Sequence, residues 1–171
     1  MKHLPLLSFY FLLGFCFQFP SVAMRYWMMN DVKVSPAQMS AMMGVASIPW
    51  CLKPFYGFIS DSYPIQGYRR RPYMITMAFL SSFMWIILPF VPYDEFLVTF
   101  VMTMASFGLC FADVMADSLL VEVARNESEK NRGIIQSWSW MLRFAGGLLA
   151  SGFGALAYDK LGSAQVFLIN S

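Results

Sequence analysis

The sequence predicts an all-α membrane protein. Of the 171 residues, 58% are hydrophobic and only 13% are charged, whereas a soluble domain carries about 25% charged residues. The mean hydropathy is +0.54, and the apolar segments approach or exceed the roughly 18 residues that a membrane-spanning helix needs. The lipid bilayer is therefore the expected surrounding of the chain, and no basic patch indicates a nucleic-acid partner.

Six apolar segments give the expected order of spans along residues 1–171. Five are complete and the sixth is cut off at the last residue, so we expect about five and a half transmembrane helices from a chain that looks truncated. The spans cover approximately residues 4–29, 35–60, 72–92, 96–122, 133–158 and 161–171.

The basic residues predict the orientation of these spans. Cytoplasmic loops are enriched in lysine and arginine, so the side with seven basic residues is predicted to be cytoplasmic, together with the N-terminus. An alternative, in which the first segment is a cleaved signal peptide, rests on the small residues Ser21, Val22 and Ala23. The seven cytoplasmic residues are Lys2, Arg69, Arg70, Arg71, Arg125, Lys130 and Arg132, and the two opposite are Lys33 and Lys160.

Four charged residues lie inside otherwise apolar spans: Lys53, Asp113, Asp117 and Arg143. A charge at bilayer depth costs at least about 2.5 kcal/mol and usually faces a bundle interior or a water-filled path. At 1.5 Å per residue, Asp113 lies roughly 25 Å below the outer end of its span, in the inner half of the membrane. These four residues are the strongest candidates for a functional site.

Polar residues follow one face of two spans. In the fourth span, spacings of three and four residues place a stripe on the face that carries Asp113 and Asp117. In the first span the same spacing links Gly14, Gln18, Ser21 and Arg25, so Gln18 and Arg25 join the candidate pathway. The fourth-span stripe consists of Thr99, Thr103, Ser106, Cys110, Asp113 and Asp117.

These features have structural alternatives. The hydroxyls can simply join helices, and the two acids and two bases can form an ion-pair network without a transport role. Gly146, Ala150 and Gly154, four residues apart, predict close helix packing within the bundle in preference to a dimer contact. The three cysteines have no expected chemistry.

The loop between the second and third spans carries a glycine and an acid, then a turn closed by three arginines. This pattern resembles the signature loop of the major facilitator superfamily, although its acid and second glycine are further apart than usual. The resemblance implies a helical bundle of twelve spans in two halves, of which residues 1–171 are a partial N-terminal half. It also implies a cytoplasmic gating loop formed by Gly57, Asp61, Gly67, Arg69 and Arg70, with Arg125 in the next cytoplasmic loop.

Longer segments resemble one family within that superfamily, the folate/biopterin transporters. They include residues 53–71, residues 113–125 and the residues from Gln136 to Gly147. The resemblance implies proton-linked transport of a pterin or folate, or of a related small organic anion. Cations at Lys53 or Arg143 would meet carboxylates, and Asp113 or Asp117 would accept from the ring or carry the proton. Trp138 and Trp140 would either stack on the ring or anchor the span at the interface.

Other functions compete with this interpretation. The chain can be a truncated, non-transporting paralogue or subunit, or a major facilitator transporter with a different substrate. An enzyme is not expected, since the single histidine, His3, lies at the N-terminus and no nucleophile has a base partner. No cofactor and no metal are expected, and the sequence does not distinguish a plasma membrane from an organelle membrane.

Overall fold

The computed structural model describes residues 4–65, 67–125, 127 and 129–171, without the side chains of residues 129–132. Asn126 and Ser128 of a glycosylation acceptor tripeptide therefore lie outside the described residues, as do Lys2 and the side chains of Lys130 and Arg132. The described residues contain no strand beyond an isolated bridge between Ile65 and Tyr68. The helices are α1 (Leu4–Gln18), α2 (Ser21–Asn30), α3 (Pro36–Cys51), α4 (Lys53–Ser62), α5 (Arg71–Ile87), α6 (Glu95–Arg125), α7 (Glu129–Leu161) and α8 (Ser163–Ile169), with a 3₁₀ turn at Leu88–Phe90.

Within the described residues, four helical stretches are long and apolar enough to cross a membrane. Helices α3 and α4 are each shorter than that, because the helical structure is interrupted between them at Leu52. The prediction of an all-α membrane protein is confirmed. The four stretches are Leu4–Asn30, Arg71–Phe90, Glu95–Arg125 and Gly133–Leu161.

A proline divides the first stretch into α1 and α2. Pro20 has no backbone N–H to donate into the preceding turn, and residues 19 and 20 form a turn between the two helices. The helical path resumes at once, since the Met24 amide donates to the Pro20 carbonyl at 2.8 Å. The polar residues Gln18 and Ser21 therefore flank a helix break.

The break at Leu52 sets the start of α4. Pro54 stands in the first turn of α4, where a missing N–H costs nothing. The Pro49 carbonyl near the end of α3 accepts the Tyr56 hydroxyl at 2.9 Å, so the backbone at the break is partnered within the bundle. Lys53 becomes the first residue of α4 as a result.

Glycines bring α1 and α7 into direct backbone contact. A Cβ atom at Gly14 would overlap the Arg143 carbonyl, and one at Gly146 would overlap the Phe11 carbonyl. Gly154 meets the Phe19 carbonyl in the same way. The predicted use of small residues for packing within the bundle is confirmed, because α1 of the same chain occupies this face of α7.

Helix α6 forms the centre of the bundle and contacts α1, α3, α4, α5 and α7. It approaches α5 closely at Gly108, where a Cβ atom would lie 2.6 Å from the Met77 carbonyl oxygen. The Ser81 hydroxyl of α5 also donates to the Ala105 carbonyl of α6 at 3.0 Å. Polar residues on α6 are therefore surrounded by other helices.

Candidate functional site

Asp113 is the centre of the site. It is fully buried, with 0% of its surface exposed, and each carboxylate oxygen accepts from a different cation. Lys53 of α4 donates to one oxygen at 2.7 Å, and Arg143 of α7 donates to the other at 2.5 Å. We call Lys53, Asp113 and Arg143 the buried charge triad, in which one anion joins three helices.

Each cation of the triad also lies over an indole ring. The Lys53 ammonium is 4.6 Å from the centre of the Trp50 ring, and the Arg143 guanidinium is 5.4 Å from that of Trp140. Such cation–π contacts contribute about 0.5 to 2 kcal/mol. The tryptophans therefore help to hold both cations beside Asp113.

Asp117 lies one turn beyond Asp113 on α6 and has a different environment. Its described hydrogen-bond partner is the Tyr10 hydroxyl of α1, which donates to it at 2.6 Å. Tyr10 is almost completely buried. The two aspartates share a helical face, yet one is held by two cations and the other by a neutral phenol.

The polar stripe of α6 faces the break between α3 and α4. The Trp50 indole donates to the Ser106 hydroxyl at 3.1 Å, and the Cys110 thiol approaches the Pro49 carbonyl at 3.6 Å. One turn further, Lys53 meets Asp113. Thr99 and Thr103, in the N-terminal part of the stripe, border a separate groove.

Gln18 and Arg25 lie on a cavity of about 310 Å³ between the first four spans. The helix break at Pro20 places Gln18 and Ser21 on the same cavity, where Ser106 of α6 also contributes. The remaining lining is mainly apolar and includes several methionines. The cavity is within the size range of small-molecule sites, about 300 to 1,000 Å³.

Gln18 also borders a groove of about 490 Å³ between α1 and α7. The groove contains Arg143 and Trp140, and Trp140 is 44% exposed, so an indole face and a guanidinium are presented together. Trp138, two residues earlier, borders a different groove with Met141. The two tryptophans therefore differ in their relation to the triad.

The loop after α4 is attached to α6 through Arg70. Its guanidinium donates to the Ser118 carbonyl at 2.7 Å and pairs with Glu122 at 2.6 Å and with Asp61 at 3.8 Å. We call Asp61, Arg70 and Glu122 the arginine cluster. Gly67 adopts a φ of +81°, a value that favours glycine, so the turn between Asp61 and Arg70 depends on it.

The other residues of the predicted gating loop lie at different positions around this contact. Arg69 is exposed, and Gly57 on α4 has open space where a Cβ would stand. Arg125 lies exposed in the last turn of α6, where a cation interacts favourably with the helix dipole. Arg70 joins the loop after α4 to α6.

Tyr10 and Trp50 were missed by sequence reasoning. Tyr10 is four residues before Gly14, so the polar face of the first span extends one turn further than the sequence interpretation placed it. Trp50 is three residues before Lys53 and lies on the same side of the chain. Spacing therefore offered a signal for both residues.

The fold and the site define a multi-pass membrane protein with a buried polar cluster among its helices. A family model for the BT1 family matches residues 13–171. The chain belongs to this family of folate-biopterin transporters.

Individual relatives agree with this family. A protein of Synechocystis sp. named folate-biopterin transporter is 30% identical over 98% of this chain and 34% of its own length. An Arabidopsis thaliana protein named probable folate-biopterin transporter 4 is 33% identical over 94% of this chain and 33% of its own length. Folate transporter 1 of Plasmodium falciparum is 29% identical over 88% of this chain and 30% of its own length. No solved structure matches the chain at a significant level, and the chain spans about a third of the length of these curated relatives.

Proposed function

We propose that this chain is the first part of a major-facilitator-type secondary transporter that moves pterins, folates or related small organic anions, coupled to protons. The observation that carries the proposal is Asp113, a fully buried anion that holds two cations beside an open groove. Intramembrane charges of this kind usually mark substrate or ion pathways. The names of the relatives supply the substrate class.

The groove between α1 and α7 supports this substrate class chemically. A pterin is a flat ring with amide-like donors and acceptors, and folate adds carboxylates. Trp140 offers a partly exposed indole for contact with a ring, Gln18 offers an amide for hydrogen bonding, and Arg143 offers a cation for a carboxylate. Lys53, whose side chain is 34% exposed, is a second partly exposed cation beside Asp113.

The arginine cluster supports a gating role for the loop after α4. Arg70 attaches the loop to α6 next to Ser118, one residue beyond Asp117. A transporter that alternates access needs contacts at one end that break and re-form. We assign Asp61, Arg70 and Glu122 to such a contact, with Gly67 providing the turn.

The proposal includes an orientation with the N-terminus and the arginine loops in the cytoplasm. In that orientation the tripeptide Asn126-Glu127-Ser128 faces away from the glycosylation machinery. Translation into microsomes tests this, and the expected result is an unmodified chain. Glycosylation at Asn126 would contradict the proposed orientation and support the opposite one.

Uptake of labelled folate and biopterin by cells that express the full-length protein tests the function. Trp140→Ala is expected to raise the KM for both compounds about three- to tenfold, since aromatic stacking contributes about 0.5 to 1.5 kcal/mol. Arg143→Gln is expected to impair folate uptake more than biopterin uptake, because only folate carries carboxylates. The matched control is Trp138→Ala, which removes an indole that borders the other groove.

The outcomes separate the alternatives. If the wild-type protein takes up neither folate nor biopterin, the proposed substrate class is overturned. Equal effects of Trp140→Ala and Trp138→Ala would overturn the groove between α1 and α7 as the substrate site. Membrane abundance of each variant is measured in parallel, so that a loss of protein is not mistaken for a loss of transport.

A further inference from the structure

The two intramembrane aspartates differ in what a proton would cost them. Both oxygens of Asp113 are occupied by cations, Lys53 at 2.7 Å and Arg143 at 2.5 Å. A proton on Asp113 would leave two neighbouring cations without their shared anion inside the bundle, which is energetically expensive. Asp113 is therefore the shared anion of both cations.

Asp117 can bind a proton without breaking an ion pair. Its hydrogen-bond partner in the described residues is the neutral Tyr10 hydroxyl at 2.6 Å. A protonated carboxyl group can keep that hydrogen bond, since it still has an acceptor oxygen and gains a donor. The proton adds charge to the cluster and removes no contact.

Charged and titratable groups act on Asp117 from the neighbouring helices. Helix α5 is preceded by Arg70, whose guanidinium is engaged by Glu122 and the Ser118 carbonyl. The remaining groups act on Asp117 directly or electrostatically. They are Tyr10 from α1, Lys53 from α4, Arg143 from α7 and Asp113 from α6 itself.

The net charge of the cluster formed by Lys53, Asp113, Asp117 and Arg143 depends on one proton. With Asp117 ionised, two cations face two anions and the cluster is neutral. With Asp117 protonated, the same cluster carries one net positive charge. An anionic substrate at Arg143 or Lys53 then finds a favourable field, which strengthens as the local dielectric falls.

We infer that Asp117 carries the coupling proton, hydrogen-bonded to Tyr10, while Asp113 holds the two substrate-facing cations. This assignment rests on the proposed function for the substrate and deepens it. The proton enters from the aqueous phase on one side, binds a carboxylate oxygen of Asp117 and leaves to the other side, while Tyr10 keeps its own proton. Proton and anion favour each other's binding by the same factor, because linkage is reciprocal.

Infrared difference spectroscopy of the purified full-length protein tests the proton site without any substrate. The carbonyl band of a protonated carboxyl group is expected to be present in acidic buffer and absent in alkaline buffer. Asp117→Asn is expected to remove this band, whereas Asp159→Asn, which changes an exposed carboxylate at the end of α7, is expected to leave it intact. A band that survives Asp117→Asn unchanged would overturn the assignment.

Transport in proteoliposomes tests the coupling. Asp117→Asn is expected to lose accumulation driven by a proton gradient but to keep folate exchange within about threefold of wild type, and that exchange is expected to be independent of pH. Gradient-driven accumulation by Asp117→Asn would overturn the assignment. Absence of pterin and folate transport in the wild type, with the infrared band still assigned to Asp117, would overturn the substrate class and leave the proton site standing.

A more conservative variant tests the role of the phenol as a positioning group. Tyr10→Phe removes a hydrogen bond that stabilises the ionised form of Asp117, so the protonated form persists to higher pH. The pH at half-amplitude of the infrared band and of uptake is expected to rise by about one unit, because a hydrogen bond to a charged carboxylate favours the ionised form. A shift of both midpoints to lower pH, or none, would contradict the proposed contact.

Discussion

Two clusters in this protein have opposite compositions and different surroundings. In the buried charge triad, the anion Asp113 lies between two cations. In the arginine cluster, the cation Arg70 lies between two carboxylates. Asp113 has no exposed surface, whereas the carboxylates of Asp61 and Glu122 are 56% and 54% exposed.

The difference indicates that the two clusters can serve different purposes. A buried ion pair that loses one partner leaves an uncompensated charge, at a cost of about 3 to 5 kcal/mol. An exposed pair contributes only about 0 to 1 kcal/mol and is screened by salt. The triad is therefore suited to a permanent feature of the bundle, and the arginine cluster to a contact that opens and closes.

The largest expected effect tests the triad. Asp113→Asn removes the shared anion and leaves Lys53 and Arg143 facing each other, so the free energy of unfolding is expected to fall by about 3 to 5 kcal/mol. Chemical denaturation of the purified protein in detergent micelles measures this change. Asp159→Asn, on the exposed end of α7, is the control and is expected to change stability by less than about 0.5 kcal/mol.

A triple variant sharpens this prediction. Replacing Lys53 and Arg143 by methionine and Asp113 by leucine removes all three charges together, and most of the lost stability is expected to return. A triple variant as unstable as Asp113→Asn would mean that packing at these positions, and not the buried charge, sets the cost.

The second expected effect concerns the backbone that places Arg143. A Cβ at Gly14 would overlap the Arg143 carbonyl, so Gly14→Ala is expected to push α1 and α7 apart at the level of the triad. Overpacking of this kind costs about 1 to 3 kcal/mol. Gly152→Ala is the matched control, because a Cβ at Gly152 on α7 has nothing within 4 Å.

Stability and site geometry give separate measurements of this variant. Unfolding in detergent measures the free-energy change, and the folate KM of the full-length protein measures the displacement of Arg143. Equal stability and equal folate KM of Gly14→Ala and Gly152→Ala would show that the contact between α1 and α7 adjusts without moving Arg143.

The membrane class and the importance of the intramembrane charged residues could be predicted from the sequence. The first depends on composition, and the second depends on the free-energy cost of a charge at bilayer depth. An apolar stretch that contains Asp113 violates the composition of a lipid-facing helix, and this violation is visible without a structure. The face shared by Asp113 and Asp117 was also predictable, since helical periodicity relates residues within one helix. Membership in the family follows from the same segments.

The pairing between helices was not predictable in this way. Two acids and two cations allow several pairings, and the choice depends on how each helix is rotated. The breaks at Pro20 and Leu52 alter that rotation within single spans, and the approach of α1 to α7 depends on a backbone contact at Gly14. Periodicity within one helix carries no information about rotation between helices, so Tyr10 was not recognised as the partner of Asp117.

The smallest expected effect tests the arginine cluster against the triad. Glu122→Gln removes the carboxylate 2.6 Å from Arg70, and Asp61→Asn removes the one at 3.8 Å. We expect Glu122→Gln to lower the free energy of unfolding by up to about 1 kcal/mol at low salt and Asp61→Asn by less.

Both differences are expected to vanish in about 1 M salt, where the Debye length is about 3 Å. The loss caused by Asp113→Asn is expected to persist there, because a fully buried charge is poorly screened. A salt-independent effect of Glu122→Gln would show that the contact between Arg70 and α6 is as permanent as the triad, and the loop after α4 could then not act as a gate.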